Sequence, residues 1–342
     1  MNPATHVQQA IHCVPMRNFD AEFKSLDHYI RVITDRIWEG RQIEDIRKYY
    51  SDPCVVETPS SVSTHVQSVI DGTKATLLMF PDRRLLAEDV IESGDEHSGF
   101  LSSHRIISPM THLGDGTFGK PTGRKIHVRT IADCVCKDNR ITHEWLVRDQ
   151  AAIALQLGST PQALAQRWLN QQAWSKPQAP AAPSDYHSHL SSESMAVGYA
   201  LAIEDFAYQR GRAALAYDDA VHHIGPGAVT RFGHDEVAQF WRHLFSGLKV
   251  SQFKIEHLAL QRGEERNARV AMRWRAQCEY VSDVFSCDLS SQLNTARSDA
   301  SGKKPIELMG INHVEFFRGR VLREWVLLDE VAIWMQILTT QT

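Results

Sequence analysis

Two short spacings carry residue types suited to proton transfer: Trp145-x-Val147-x-Asp149 and Trp325-x-Leu327-x-Asp329. On an extended strand, residues two and four apart share a face, so each Asp is expected beside an indole and an aliphatic side chain. Such surroundings strip water from a carboxylate and raise its pKa above the ordinary value of about 3.9. A carboxyl tuned in this way takes a proton from a carbon next to a carbonyl and returns it elsewhere, which contributes roughly 10²–10⁴-fold to rate. A structural reading stands beside it. Each Asp immediately precedes a helix-like run, QAAIALQL or EVAIWMQI. There its carboxylate would cap backbone N–H groups, and its pKa would fall. The two Trp are either core residues or platforms for a substrate.

The elements that must position these groups follow from a repeat. The segment Arg140–Gln156 aligns without a gap on Arg320–Gln336, and seven of the seventeen positions are identical. Tyr50-Ser51-Asp52 parallels Tyr217-Asp218-Asp219, and Gly72 parallels Gly233. The Pro-, Ala- and Ser-rich stretch from Asn170 to Ser194 has no apolar period and reads as a linker. The expected organisation is therefore a tail over 1–14, one domain over 15–168, a linker over 169–193 and a second domain over 194–342. Each copy opens with helices (Leu26–Glu39, Ile43–Tyr50; Met195–Gln209). A short strand follows (Cys54–Glu57; Ala220–Ile224), then a helix (Val66–Met79; Asp235–Phe245). The rest is four strands: Arg84–Ile91, Ser98–Ile107, Lys125–Cys136 and Ile141–Asp149. Copy two supplies Gln252–Gln261, Ala268–Tyr280, Ile306–Phe317 and Val321–Asp329. Helices first and antiparallel strands after give an α+β class. A polar insertion at 281–304 in copy two is a loop or a lid.

Several of these stretches resemble the SnoaL-like, polyketide-cyclase-like branch of the NTF2-like superfamily. They are FPDRRLLAEDVIESGD (80–95), PTGRKIHV (121–128) and the two EW-x3-D strands. Copy two adds YDDAVHHIGPG (217–227), RFGHDEVAQFW (231–241), ARVAMRWR (268–275) and GINHVEFFRGRVLREW (310–325). The resemblance implies two tandem cone-shaped barrels, each a curved antiparallel sheet with helices on one side and a pocket between. It implies Asp149 and Asp329 as acid/base candidates, because such cyclases carry an Asp in the final strand. His223 falls where relatives place a pocket His, with Val56 in copy one. Asn312 falls at another polar pocket position, with Ala132 in copy one. It also implies that the two copies pack sheet to sheet as an internal pseudo-dimer, with copy one as scaffold for an active copy two.

Other candidates come from the residues themselves. Arg273 and Arg275 alternate with Trp274, so either the Trp or the Arg pair faces inward, and an inward Arg would bind an enolate or carboxylate oxygen. His104 sits in the polar run SSHR, and His127 shares a strand face with Arg129. Whole classes fall away. Lys plus Arg is 37 against 41 Asp plus Glu, a net charge of −4, which argues against a nucleic-acid partner. No apolar run is long enough for a membrane span. The start of the chain lacks the pattern of a secretory signal, and six cysteines are too few for a disulfide scaffold, so a cytoplasmic setting is expected. The 17 histidines are scattered without zinc-site spacing, and no phosphate-binding Gly motif is present, so neither metal nor cofactor is expected. The expectation is a cofactor-independent acid/base enzyme of cyclase, isomerase, dehydratase or hydrolase type acting on a small or medium hydrophobic carbonyl compound. The alternative is a non-catalytic module that binds a ligand or protein. Pairing of whole chains into a homodimer is left open.

Overall fold

The computed structural model describes residues 16–171, 174, 178, 182, 186–211, 217–263, 266–281 and 304–339. The 1–14 tail and all but the ends of the 281–304 insertion lie outside them. Copy one begins with α1 (Leu26–Thr34), whose Leu26, Tyr29, Ile30 and Ile33 are buried at helical spacing. Ser25 caps it by accepting from the His28 N–H, and a π-helical turn, Asp35–Glu39, extends it. A short α2 (Ile46–Tyr49) leads into β1 (Tyr50–Glu57) and β2 (Val62–Ser63), followed by α3 (Val66–Met79). Four long strands complete the sheet: β3 (Leu86–Asp95), β4 (Gly99–Thr111), β5 (Lys125–Lys137) and β6 (Arg140–Arg148). Helices α4 (Gln150–Gln156) and α5 (Pro161–Gln171) end the copy.

Copy two repeats the plan with α6 (Ser194–Ala207), β7 (Tyr217–Ile224), β8 (Thr230–Phe232) and α7 (Gly233–Ser246). Then come β9 (Leu248–Gln261), β10 (Ala268–Tyr280), β11 (Lys304–Phe317), β12 (Arg320–Leu328) and α8 (Glu330–Leu338). The two sheets have six strands each in the same order, β2-β1-β6-β5-β4-β3 and β8-β7-β12-β11-β10-β9. In both, the first strand runs parallel to the last (β1 with β6, β7 with β12) and the other pairs are antiparallel. The chain is thus two tandem α+β units built on one plan.

The repeated residues explain why the strand-to-helix turn is kept. Asp149 accepts from the Ala152 N–H at 3.0 Å, and Asp329 accepts from the Ala332 N–H at 3.0 Å. Ala152 and Ala332 are fully buried, so the turn has no room for a larger side chain. Gln156 exchanges two hydrogen bonds with the backbone of His127, and Gln336 does the same with Glu307. Each pair clips the helix onto the neighbouring strand.

The sheets pack against each other through Leu101, Ile131, Val135, Trp145 and Val147 from one and Met309, Ile311 and Leu327 from the other. Polar contacts cross this layer in a pseudo-twofold pattern. Arg273 of β10 lies 3.7 Å from the Trp145 ring centroid, and its equivalent on β4, Arg105, lies 3.6 Å from that of Trp325. Arg273 pairs with Asp133 at 2.6 Å, whereas Arg105 meets His313 Nδ1 at 3.2 Å. Ser103 joins the two by donating to Asp133 at 2.5 Å and lying 2.8 Å from His313 Nε2. Both sheets are therefore covered on two faces, one by helices and one by the other sheet.

Candidate functional site

The central strands of each sheet are buried on both faces, and the cavity opens on the helix-covered one. In copy one, Glu144, Leu146 and Arg148 of β6 point between the sheet and α1/α3, where a cavity of about 490 Å³ lies. Its wall includes Ile33 and Ile37, Thr73 and Thr76 of α3, His104 and Ile106 of β4, and Thr130 and Cys134 of β5. Exposed Ser61, Ser68 and Gly72 stand at its rim. Asp329, from the other copy, also lines it.

The cavity is rich in buried polar groups without partners. The side chains of Arg83, His104, Thr130, Arg148 and Gln150 line it, and their Nε, Nε2, Oγ1, Nε and Oε1 atoms have no hydrogen-bond partner among the described residues. An unsatisfied buried group costs about 1–3 kcal/mol, so a cluster of them marks a place where something polar binds. Burial drives the titrations. It pushes His104 down to about 3, helped by Arg31 and Arg105, so the imidazole is neutral near pH 7. It raises Glu144, against the hydrogen bond that Tyr50 OH donates to its carboxylate at 2.8 Å. It lowers Arg148, with Asp329 and Glu144 opposing, and holds Arg83 well below the usual guanidinium range, with Arg148 adding repulsion. Asp329 is pushed up to about 7 by burial, and the nearby Asp149 adds to the rise, while the Ala332 N–H and Arg148 oppose it.

Asp149 differs from its counterpart. Beyond Ala152 it accepts from the Gly227 and Ala228 N–H groups of copy two at 2.9 and 3.0 Å. Burial still raises it, to about 6, against those three N–H groups. Among the described residues no N–H of copy one reaches Asp329, which faces the cavity instead. Each Asp begins a turn, beyond the last strand residue, so neither continues the alternation set by its Trp.

The remaining expected site residues lie elsewhere. Trp145, Trp325 and Arg273 belong to the layer between the sheets. Trp145 and Arg273 border a groove of about 760 Å³ there, in which Glu57, Glu256 and Glu307 pair with Arg275 and Arg273. His127 is exposed. Trp274 faces inward and is fully buried, so the Arg pair faces the other sheet, not solvent. Asn312 is used within the same core: it accepts from Trp274 Nε1 at 3.1 Å and donates to Tyr199 OH at 2.8 Å. His223 is buried with Nδ1 2.7 Å from Glu324, and burial lowers its pKa. His223, Asn312 and Trp274 thus fill the second cone instead of lining a pocket.

The cavity was expected in copy two, but the hollow lies in copy one. Trp274, paired with Gly310, stands where copy one has Ile106 paired with Thr130. A Cβ on Gly310 would fall 2.3 Å from the indole, so the glycine makes room for the Trp. Phe240, Trp241 and Phe245 of α7 complete the filling. The sequence reading missed Glu144, Arg148 and Arg83. The identity of Glu144 in both repeats, and the change from Arg148 to Leu328 at equivalent positions, were the available signals.

Among the described residues no group of three or more His, Cys, Asp or Glu is placed to hold a metal. No helix among them is long and apolar enough to cross a membrane. Residues 29–157 match the SnoaL-like polyketide cyclase family. Similar solved structures include IdmH of Streptomyces antibioticus, at 20% identity over 39% of this chain and 97% of that one, with a TM-score of 0.34. A SnoaL-like polyketide cyclase of Agrobacterium tumefaciens is 18% identical over 39% and 97%, with a TM-score of 0.33. TsrD of Streptomyces laurentii is 15% identical over 41% and 98%, with a TM-score of 0.35. No curated protein matches the chain.

Proposed function

We propose that the chain is a cofactor-independent acid/base enzyme whose active cavity lies in copy one and whose acid/base, Asp329, comes from copy two; the match of residues 29–157 to the SnoaL-like polyketide cyclase family supports this reading. The observation that carries this reading is a buried carboxyl, raised to about 7, lining a cavity beside a buried guanidinium. In the proposed cycle the Asp329 carboxylate takes a proton from a carbon next to a substrate carbonyl. The C–H electron pair moves into the enolate, whose oxygen is held by Arg148 or by the neutral His104 imidazole. The protonated Asp329 then returns the proton to another atom of the substrate or of its cyclised product, so the carboxyl ends as it began. Isomerisation and ring closure both fit this balance. We assign the working unit to domains over 15–168 and 194–342, both required because each supplies part of the site. Buried free thiols at Cys54, Cys134, Cys136 and Cys278 suit a reducing cytoplasm.

The hydrogen bond from the Ala332 N–H to Asp329 favours a second reading, a ligand-binding module in which Asp329 is only a helix cap. Carboxyl carbon NMR of the wild type against Asp329→Asn separates the two. A titration near 7, with a loss of roughly 10²–10⁴-fold in deuterium exchange of 2-tetralone in the variant, supports the enzyme. A titration below about 3 would leave a cap and no base.

A further inference from the structure

Beyond the large cavity lies a smaller one of about 120 Å³, walled mainly by apolar side chains such as Met79, Phe80, Phe118 and Ile153. The two share Thr76, Arg83, Thr117, Arg148 and Gln150, and all five of these shared residues are polar. The neck between the two chambers is therefore built from two guanidinium groups, two hydroxyls and an amide. Arg83 is 2% exposed. Its Nη2 has one long hydrogen bond, 3.4 Å to the Ser108 hydroxyl, its guanidinium lies 4.9 Å from the Trp38 ring centroid, and its Nε has no partner. The second guanidinium of the neck, Arg148, adds repulsion to the burial that already disfavours the Arg83 charge. Arg148 retains accessible area although it lies deep in the fold, as a residue facing a cavity does.

Two cations share this buried place, and among the described residues Arg83 has no ion pair, so an added anion beside it would be strongly stabilising. We propose that this neck is a carboxylate-binding subsite and that the substrate is an organic monocarboxylate with an apolar body lodged in the larger cavity. Guanidinium groups match a carboxylate through paired N–H donors, and the Gln150 amide, which can present either end by a flip, faces the same point. A single negative charge fits better than a phosphate dianion, because Glu144 and Asp329 stand close to Arg148 and already supply acidic groups there. The apolar wall of Ile33, Ile37, Ile106 and Leu146 would receive the body of the molecule. This inference shares with the proposed function the premise that the copy-one cavity is the ligand site.

The test is isothermal titration of the whole chain with 2-naphthoate, 2-naphthamide and 2-naphthyl phosphate, none of which can be turned over by enolisation. The expected result is naphthoate binding at least tenfold tighter than the amide, with the phosphate weaker than the carboxylate. Arg83→Met is expected to abolish the preference and leave amide affinity unchanged, with no loss of melting temperature, since it replaces an unpaired buried charge with an apolar chain. Equal binding of acid and amide, no binding of naphthoate at millimolar concentration, or a preference unaffected by Arg83→Met would overturn the proposal. Tighter binding of the phosphate would replace the carboxylate with a phosphate ester. Should Arg83→Met fail to fold, the wild-type ratio of acid to amide decides alone. Asp329→Asn is expected to keep naphthoate binding, so a failed acid/base role and a failed anion subsite give different results.

Discussion

Glu144 and Glu324 occupy equivalent places in the repeat, on the strand before the identical Trp, and their surroundings separate the two halves of the molecule. Glu324 accepts from Tyr199 at 2.6 Å and from Tyr217 at 3.2 Å, and lies 2.7 Å from His223 in a filled core. Glu144 receives Tyr50 alone among its recorded hydrogen bonds and faces the cavity. One fold thus serves once as a packed body, in which Glu324 is held by two tyrosines and a histidine, and once as a vessel, in which Glu144 faces a cavity. A wealth of polar residues is therefore a poor guide to a site, and the space beside them is a better one.

The contrast can be broken most directly at Trp274. If the second cone is a true core, Trp274→Ala costs about 3–5 kcal/mol in urea unfolding. Ile106→Ala, at the equivalent cavity wall, should cost clearly less. Equal losses would mean that both cones are packed alike. The next largest effect concerns pH. Asp329 binds its proton more tightly in the folded chain than in the unfolded one, so the folded state holds more protons between about pH 4 and 7, and stability falls as pH rises through that window. Asp329→Asn should flatten this fall by roughly 1.36 kcal/mol per pH unit, read from thermal unfolding at several pH values. A slope identical to wild type would show that the carboxyl is not desolvated.

A smaller difference is expected at the paired carboxyls. Glu324→Gln should lose about 1.5–3 kcal/mol, because hydrogen bonds made in a closed core are disturbed. Glu144→Gln should lose less than about 1 kcal/mol, as its lone recorded partner can still donate to an amide oxygen. The smallest effect tests what the halves share. Double-mutant cycles on Arg105/Trp325 and Arg273/Trp145 should each give a coupling of about 0.5–2 kcal/mol. A coupling at one pair alone would remove the pseudo-twofold description of the interface.

Much of the fold was readable before any coordinates. The boundaries of α3 and β10 agree with the expected ones, because the first has a helical apolar period and the second alternates between turn residues. The repeat was readable because Asp, Ala and Gln at the strand-to-helix turn perform the same backbone hydrogen bonding twice. The face of β6 that meets the cavity was not readable. Alternation divides a strand into two sets but does not say which faces helices and which faces a second sheet, and here both sets are largely buried. The apolar set of Trp145 and Val147 went to the sheet junction, leaving Glu144 and Arg148 for the hollow. Nor could spacing show which cone is full, since that depends on how Trp274 and Gly310 fit across neighbouring strands.

The crossed Arg–Trp stacks bear on how such a chain can change over generations. In a pair of identical subunits every substitution appears on both sides of the axis, so a residue that blocks one hollow blocks both. Here the junction is encoded twice, and Asp133 on one side already faces His313 on the other. The molecule behaves as a heterodimer that never has to find its partner: its assembly does not depend on concentration, and each half is free to specialise.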